Sequence, residues 1–210
     1  MTTFEHAMLG ANGVVACGLQ RRYGWRLVAL AGVAAVAPDW DGLTVLFDAS
    51  VFDQGHRVWG HNVFACCLIG VFISMLDLRF NLTGRLVAWL RTFRMVQQAT
   101  TEDASGASTV TPGFVVFAAV AVVAALSQIP ADAVVSGGHG LEDWPVQYLW
   151  PVADAEIVYP LVPWGDPGIT IVFCIGMIAA ARFGKRLQLI AASTLMGVAG
   201  YIAVRGLMFG

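Results

Sequence analysis

LQLIAASTLMGVAGYIAVRGLMF, residues Leu187–Phe209, is the stretch that decides the fold. A helix needs about 20 apolar residues to cross a bilayer, and ~17 is near the lower limit. This one meets the length outright, interrupted only by Gln188, Ser193, Thr194 and Arg205, which are small or lie near an end. Reading outward from it, residues 113–129 and 62–78 sit near the lower limit, and 168–181 is shorter and needs its flanks. The N-terminal part holds two short apolar runs, 7–19 and 27–37, hinged at QRRYGWR. They form either a tight helical hairpin or a pair of which one is only partly inserted. The expectation is six spans, with five as the fallback.

Composition agrees. Hydrophobic residues make up 58% of the 210 and charged residues 12%, and mean hydropathy is +0.71. A water-soluble domain carries about 25% charged residues and lacks interior space for so much apolar surface. The same figures exclude a disordered chain and a collagen-like repeat. With 12 Lys and Arg against 14 Asp and Glu, they also exclude a basic nucleic-acid binder, so no nucleic-acid partner is expected. The four cysteines lie in apolar runs and read as small buried hydrophobes. MTTFEHAMLGANG has no basic leader, so no cleavable signal peptide is expected.

The fold class is therefore an all-α, polytopic membrane bundle of five or six transmembrane helices in one domain, residues 1–210. With the N-terminus outside, the inside loops 20–26, 79–112 and 182–186 hold ten of the twelve basic residues. Positively charged loops stay cytoplasmic, and the location implied is a bacterial or archaeal inner membrane. LTGRLVAWLRTFRMV is amphipathic and predicts a surface helix near residues 84–96, lying flat on the anionic inner leaflet. A polar linker, running to residue 112, follows it.

The histidines are the candidates for chemistry. His6, His56, His61 and His139 each neighbour a carboxylate or another histidine, in FEH, GHRVWGH and HGLED; PDWD at 38–41 adds two more carboxylates. All map to the external side. Histidine with carboxylate is the ligand set of Zn, Mn or non-haem Fe. His139 and Asp143 are four apart, so on a helix they stack on one face and can hold one ion or bridge two. Pro38 stops the preceding helix, and in an extended stretch Asp39 and Asp41 would share a face. Each cluster taken singly also reads as a turn, a cap or an interfacial patch. Their coincidence weakens that reading, because so apolar a chain has few polar residues to place.

An N-terminal His, PDxD, HRxxxH and HxxxD followed by LWP resembles the YdjM-type family of LexA-binding, inner-membrane-associated metal-dependent hydrolases. The residues that carry the likeness are His6, Pro38 to Asp41, Gly55 to Arg57 with His61, His139 with Asp143, and Leu149 to Pro151. Where that family has HRGxTHS, this chain has HRVWGHN, and Asp143-Trp144-Pro145 replaces a Thr-Pro-Gly stretch. The resemblance implies metal-dependent hydrolysis.

The leading expectation is a membrane-bound hydrolase acting at the extracytoplasmic surface on a lipid-linked or phosphoester substrate. His6, Asp39, His56, His61, His139 and Asp143 would bind one or two divalent ions, Zn first, with Mn and Fe as alternatives. Asp41 or Glu142 would act as general base or orienter, and Arg57 would hold a phosphate oxygen. The alternatives are a non-catalytic metal-binding or transport protein and a membrane scaffold.

Overall fold

The computed structural model describes residues 1–46, 48, 51–52, 55–93, 113–138 and 142–209. The helices are α1 (Thr3–Ala16), α2 (Leu19–Tyr23), α3 (Trp25–Val36), α4 (Val63–Phe80), α5 (Leu82–Leu90), α6 (Phe114–Leu126), α7 (Gln128–Val134), α8 (Gly168–Arg182) and α9 (Leu187–Phe209). A 3-10 segment, Ala37–Leu46, prolongs α3. Among the described residues the only strand-like pairings are isolated bridges, Val135 with Val162 and Val146 with Ile157. The chain is an all-helical bundle.

The long helices pack in a row: α4 on α6, α6 on α3, α3 on α1, α1 on α9, and α9 on α8. Small residues make this possible. A Cβ at Gly10 of α1 would stand 2.5 Å from the carbonyl oxygen of Ala31, and one at Gly70 of α4 would stand 2.7 Å from the backbone of Val122. Close backbone approach of this kind replaces the hydrophobic drive that lipid-embedded helices lack. The central layer is correspondingly alanine-rich, with Ala31, Ala34, Ala35, Ala121 and Ala124 buried beside Leu27, Leu30 and Phe117.

Four stretches are long and apolar enough to cross a membrane: Trp25–Leu46, Val63–Phe80, Phe114–Val134 and Gly184–Met208. Only 22% of Val63–Phe80 is buried inside the protein, and its outward face carries Leu68 at 71% and Phe72 at 60% exposure. Such a surface needs lipid around it. The other two apolar helices, α1 and α8, have 14 and 15 residues, or roughly 21–23 Å at 1.5 Å per residue. The N-terminal runs do form a hairpin, α1 against α3.

The amphipathic segment is helical over Leu82–Leu90. Its inner face is seated on the bundle, with Leu86, Val87 and Leu90 towards a groove shared with Ala7 of α1 and Trp25, Val28 and Val33 of α3, while Leu82, Arg85 and Trp89 are exposed. Asp77 fixes its start. This buried carboxylate takes the backbone N–H of Thr83 at 2.6 Å and Arg26 Nε at 2.8 Å, joining α3, α4 and α5. The linker beyond residue 93 lies outside the described residues until Gly113. The cysteine expectation holds for Cys66, which is buried; Cys67 and Cys174 are half-buried and Cys17 is exposed.

The two ends of the row differ in chemistry. At one end lie Arg21, Arg22, Arg26, Arg79, Lys185 and Arg186. At the other, the start of α1, the 3-10 segment, the turn before α4 and α7 converge on the histidines.

Candidate metal centre

Two local features aim α1 and the 3-10 segment. Thr2 and Glu5 form a capping box at the start of α1: Thr2 N–H donates to Glu5 Oε2 at 2.8 Å, and Glu5 N–H to the Thr2 hydroxyl at 3.3 Å. Glu5 Oε1 also accepts from the Thr170 hydroxyl of α8 at 2.7 Å. Glu5 is thus spent on holding the helix, and its neighbour His6 is directed inward, fully buried. After Pro38 the chain tightens into a 3-10 turn in place of the extended stretch expected. Residues two apart there do not share a face, so Asp39 and Asp41 approach opposite sides of one imidazole, that of His61.

That imidazole organises the site. His61 Nδ1 lies 3.0 Å from Asp41 Oδ2. Its Nε2 lies 3.2 Å from Asp39 Oδ1 and 3.2 Å from Asp132 Oδ2. Asp132 in turn reaches His6 Nε2 at 3.3 Å. His6, Asp39 and Asp132 each offer a ligand atom within 4.8 Å of the others, as do Asp41, His56 and His61. Gly60 permits the approach, because a Cβ there would fall 1.9 Å from the Pro38 carbonyl oxygen. Asp41 also accepts the Gly60 backbone N–H at 2.9 Å and His56 Nδ1 at 2.9 Å. Gln128 of α7 donates to Asp39 Oδ1 at 2.9 Å.

The donor set suits a divalent ion. Four donors at ~2.0–2.1 Å from a tetrahedral Zn are separated by about 3.3–3.4 Å along each edge. The 3.2–3.3 Å contacts among His6, Asp39, His61 and Asp132 match that edge, and they are long for charge-assisted hydrogen bonds at about 2.7–2.9 Å. His6 Nδ1 is buried without a hydrogen-bond partner among the described residues, and Nε2 has only the long 3.3 Å contact with Asp132. A buried imidazole left so is costly, and a metal ligand on Nε2 resolves half of that deficit. Burial alone would lower the pKa of His61, but the carboxylates of Asp132, Asp39 and Asp41 reverse this and hold it well above its ordinary value. The pocket thus calls for a positive charge at Nε2, whether proton or ion.

Asp132 has no histidine beside it in the sequence, yet it touches His6, His61 and the Met1 amino group. The available signal was its place in QIPADAV, an ionisable residue at the end of an otherwise apolar run.

Other expected site residues stand differently. His56 is half-buried; its ring stacks on Phe52 at 4.7 Å and meets Trp144 edge-on at 4.8 Å. It contacts Asp41 at 2.9 Å and belongs to the group of Asp41, His56 and His61, not to that of His6, Asp39 and Asp132. Arg57 does not fit a role in gripping a substrate anion. Its backbone is left-handed, φ 62, and turns the guanidinium inward, where NH1 donates to the carbonyls of Asp132 and Trp144 and NH2 to that of Val135, at 2.8–3.1 Å. The cation also lies 5.2 Å above the Trp144 ring. It ties the loop after α7 in place. Asp143, expected as a ligand, is exposed and belongs to neither convergent group; its carboxylate lies over Gly137. Glu142, expected as a base, is exposed as well. His139 lies outside the described residues.

With this geometry in place, comparison with family models matches residues 1–209 to the YdjM inner membrane protein family. The chain belongs to that family. Comparison with curated proteins and with solved structures finds no match. Family membership, the apolar helices and the lipid-ready surface agree: this is an inner membrane protein of the YdjM family.

Proposed function

We propose that this YdjM family protein is a multi-pass, metal-dependent hydrolase whose site opens on the extracytoplasmic side of a bacterial or archaeal inner membrane. One observation carries the reading: His61 Nε2 stands at donor-to-donor spacing from Asp39 and Asp132, Asp132 stands so from His6 Nε2, and Asp41 lies behind His61 Nδ1. His6, Asp39, His61 and Asp132 would hold the ion, Zn by preference. A bound Zn would lower the pKa of its water towards about 7 and polarise the scissile group.

The chain's own residues supply the remainder. Asp41 accepts from His61 Nδ1–H and so would leave Nε2 free to hold an ion, the carboxylate–histidine arrangement common behind metal ligands. The other oxygen of Asp41 orients His56. His56 Nε2 has no partner among the described residues, so that edge is available to carry a proton to or from substrate. Trp144 and Phe52 wall its ring and limit water there. Asp39, the least buried of the inner carboxylates, marks the mouth.

The positive-inside bias puts the basic end in the cytoplasm and the histidines outside. A lipid-linked substrate is supported by a second feature. An apolar groove of about 440 Å³ runs along α1, α3 and α6, lined by Leu9, Gly10, Gly13, Val123 and Ser127 among others. Its upper residues lie one turn from His6 and next to Gln128, which holds Asp39. A head group in the site would leave its tail in that groove, which favours a lipid-linked phosphoester.

The test is metal analysis of the purified protein together with turnover of a panel of lipid phosphoesters. The expected result is stoichiometric metal in wild type and in Asp143→Ala, loss of metal in Asp132→Ala, and turnover by the metal-bound forms alone. Metal without turnover of any ester overturns the hydrolase reading in favour of an ion-binding protein. Absence of metal after reconstitution with Zn, Mn and Fe overturns both, leaving a scaffold.

A further inference from the structure

Lys185 and Arg186 form the short turn, Gly184–Arg186, that links α8 to α9 at the end of the bundle opposite the histidines. With Arg21 of α2 and Gln188 they surround a pocket of about 470 Å³ floored by Ala16 and Leu189. Among the described residues no acidic side chain lines it. Lys185 and Arg186 are exposed, and neither side chain has a hydrogen bond or ion pair among the described residues. Gln188 is already engaged, donating to the Ala16 carbonyl at 3.1 Å, and so braces the pocket between α1 and α9.

A second cavity of about 410 Å³ runs away from this one between α8 and α9, walled by Val172, Ile175, Ala179 and Ile190. The two share Arg186 and Leu189. A cationic pocket therefore adjoins an apolar groove. Free phosphate would satisfy the pocket and leave the groove empty. A zwitterionic choline lipid would bring its own cation against three others, whereas an anionic phospholipid satisfies both halves. Basic residues near an anionic leaflet are attracted to it, and basic pockets between membrane helices on the cytoplasmic side are suited to such head groups.

We infer that the pocket formed by Arg21, Lys185 and Arg186, with the adjoining α8–α9 groove, binds one anionic phospholipid of the inner leaflet. The phosphate sits among the three cations and one acyl chain lies between α8 and α9. This site is separate from the metal centre and independent of its chemistry.

The experiment is native mass spectrometry of the full chain in detergent, titrated with equal amounts of phosphatidylglycerol and phosphatidylcholine of identical acyl chains. Wild type is expected to retain one phosphatidylglycerol, preferred by about tenfold or more. The double variant Lys185→Gln, Arg186→Gln should lose the preference. Ala179→Phe, which fills the groove and leaves the cations, should lower phosphatidylglycerol retention by about tenfold. Both variants change lipid- or water-facing positions, and an unchanged unfolding midpoint in detergent confirms their folding. Should one misfold, the other decides. Equal retention of the two lipids by wild type, or a preference surviving in the double variant, overturns the inference. So does full retention in Ala179→Phe or complete displacement by inorganic phosphate, either of which reduces the pocket to a phosphate-binding surface.

Discussion

Replacing Asp41 by Asn keeps the shape of a side chain that accepts three hydrogen bonds, from Gly60 N–H, His61 Nδ1 and His56 Nδ1. An amide has one acceptor oxygen where the carboxylate had two. The oxygen does most if it takes the place of Oδ2, which serves both Gly60 and His61. The NH2 then points at His56 Nδ1, and His56 must give up its proton there and carry it on Nε2. Two effects follow, of different size. Behind His61 a charged acceptor becomes a neutral one, which for residues supporting a metal ligand costs about 10–100-fold in affinity, or roughly 1.4–2.7 kcal/mol. At His56 the tautomer is reversed, so the edge free to accept a proton is lost. A misplaced general base costs about 10²–10⁴-fold in rate. The expected outcome is metal affinity reduced by one to two decades, and turnover at saturating metal reduced further. The assay is competition against a chelator of known affinity, with kinetics on the same preparation and saturating ion. Wild-type affinity in Asp41→Asn would refute the claim that Asp41 orients His61. Complete loss of metal from a folded Asp41→Asn would refute it from the other side, since Asp41 would then be a ligand.

Arg57→Ala should destabilise the protein more than it alters substrate binding. It removes the side-chain donor from the carbonyls of Asp132 and Val135, at about 1–3 kcal/mol each when nothing replaces it, while that of Trp144 keeps the Ser136 hydroxyl at 3.3 Å. Thermal unfolding in detergent should shift down by several degrees with weakened metal retention; an unchanged midpoint would mean that the guanidinium is not the tie. Metal uptake should depend on pH with a definite sign. Because the pKa of His61 is raised in the metal-free protein, binding must expel a proton, and affinity should rise about tenfold per pH unit up to that raised pKa and flatten above it. In the metal-free protein the same shift stabilises the fold fully below about pH 6.5, the unfolded value, and that contribution fades as pH climbs through the raised one. Chelator-treated protein melted across this range, and metal titrations beside it, check both slopes; metal affinity independent of pH would remove His61 Nε2 from the ligand set.

Much of this protein was legible in the chain because lipid is an exacting solvent. A backbone in hydrocarbon must satisfy its own hydrogen bonds, so Leu187–Phe209 and the other apolar runs could only be helices. The cost of moving cations across a membrane sorts Arg21, Arg26, Lys185 and Arg186 to one end. By elimination, that sorting sent the histidines and PDWD to the other. What the chain could not convey was direction at the last few ångströms. Asp39 and Asp41 part because a 3-10 turn follows Pro38, and His61 fits between them because Gly60 leaves room against the Pro38 carbonyl. Asp132 enters the centre from 71 residues beyond His61 only because α6 and α7 bring it back past α3. Arg57, flanked in sequence by His56 and near His61, has a left-handed backbone and spends its guanidinium on the carbonyls of the loop after α7 and on the Asp132 carboxylate at 3.7 Å. Residue types and hydropathy are properties of the chain alone, and they determined the membrane, the helices and the end at which chemistry would gather. Which carboxylates meet which imidazole is a sum of backbone turns and helix contacts, and only the tertiary structure performs it.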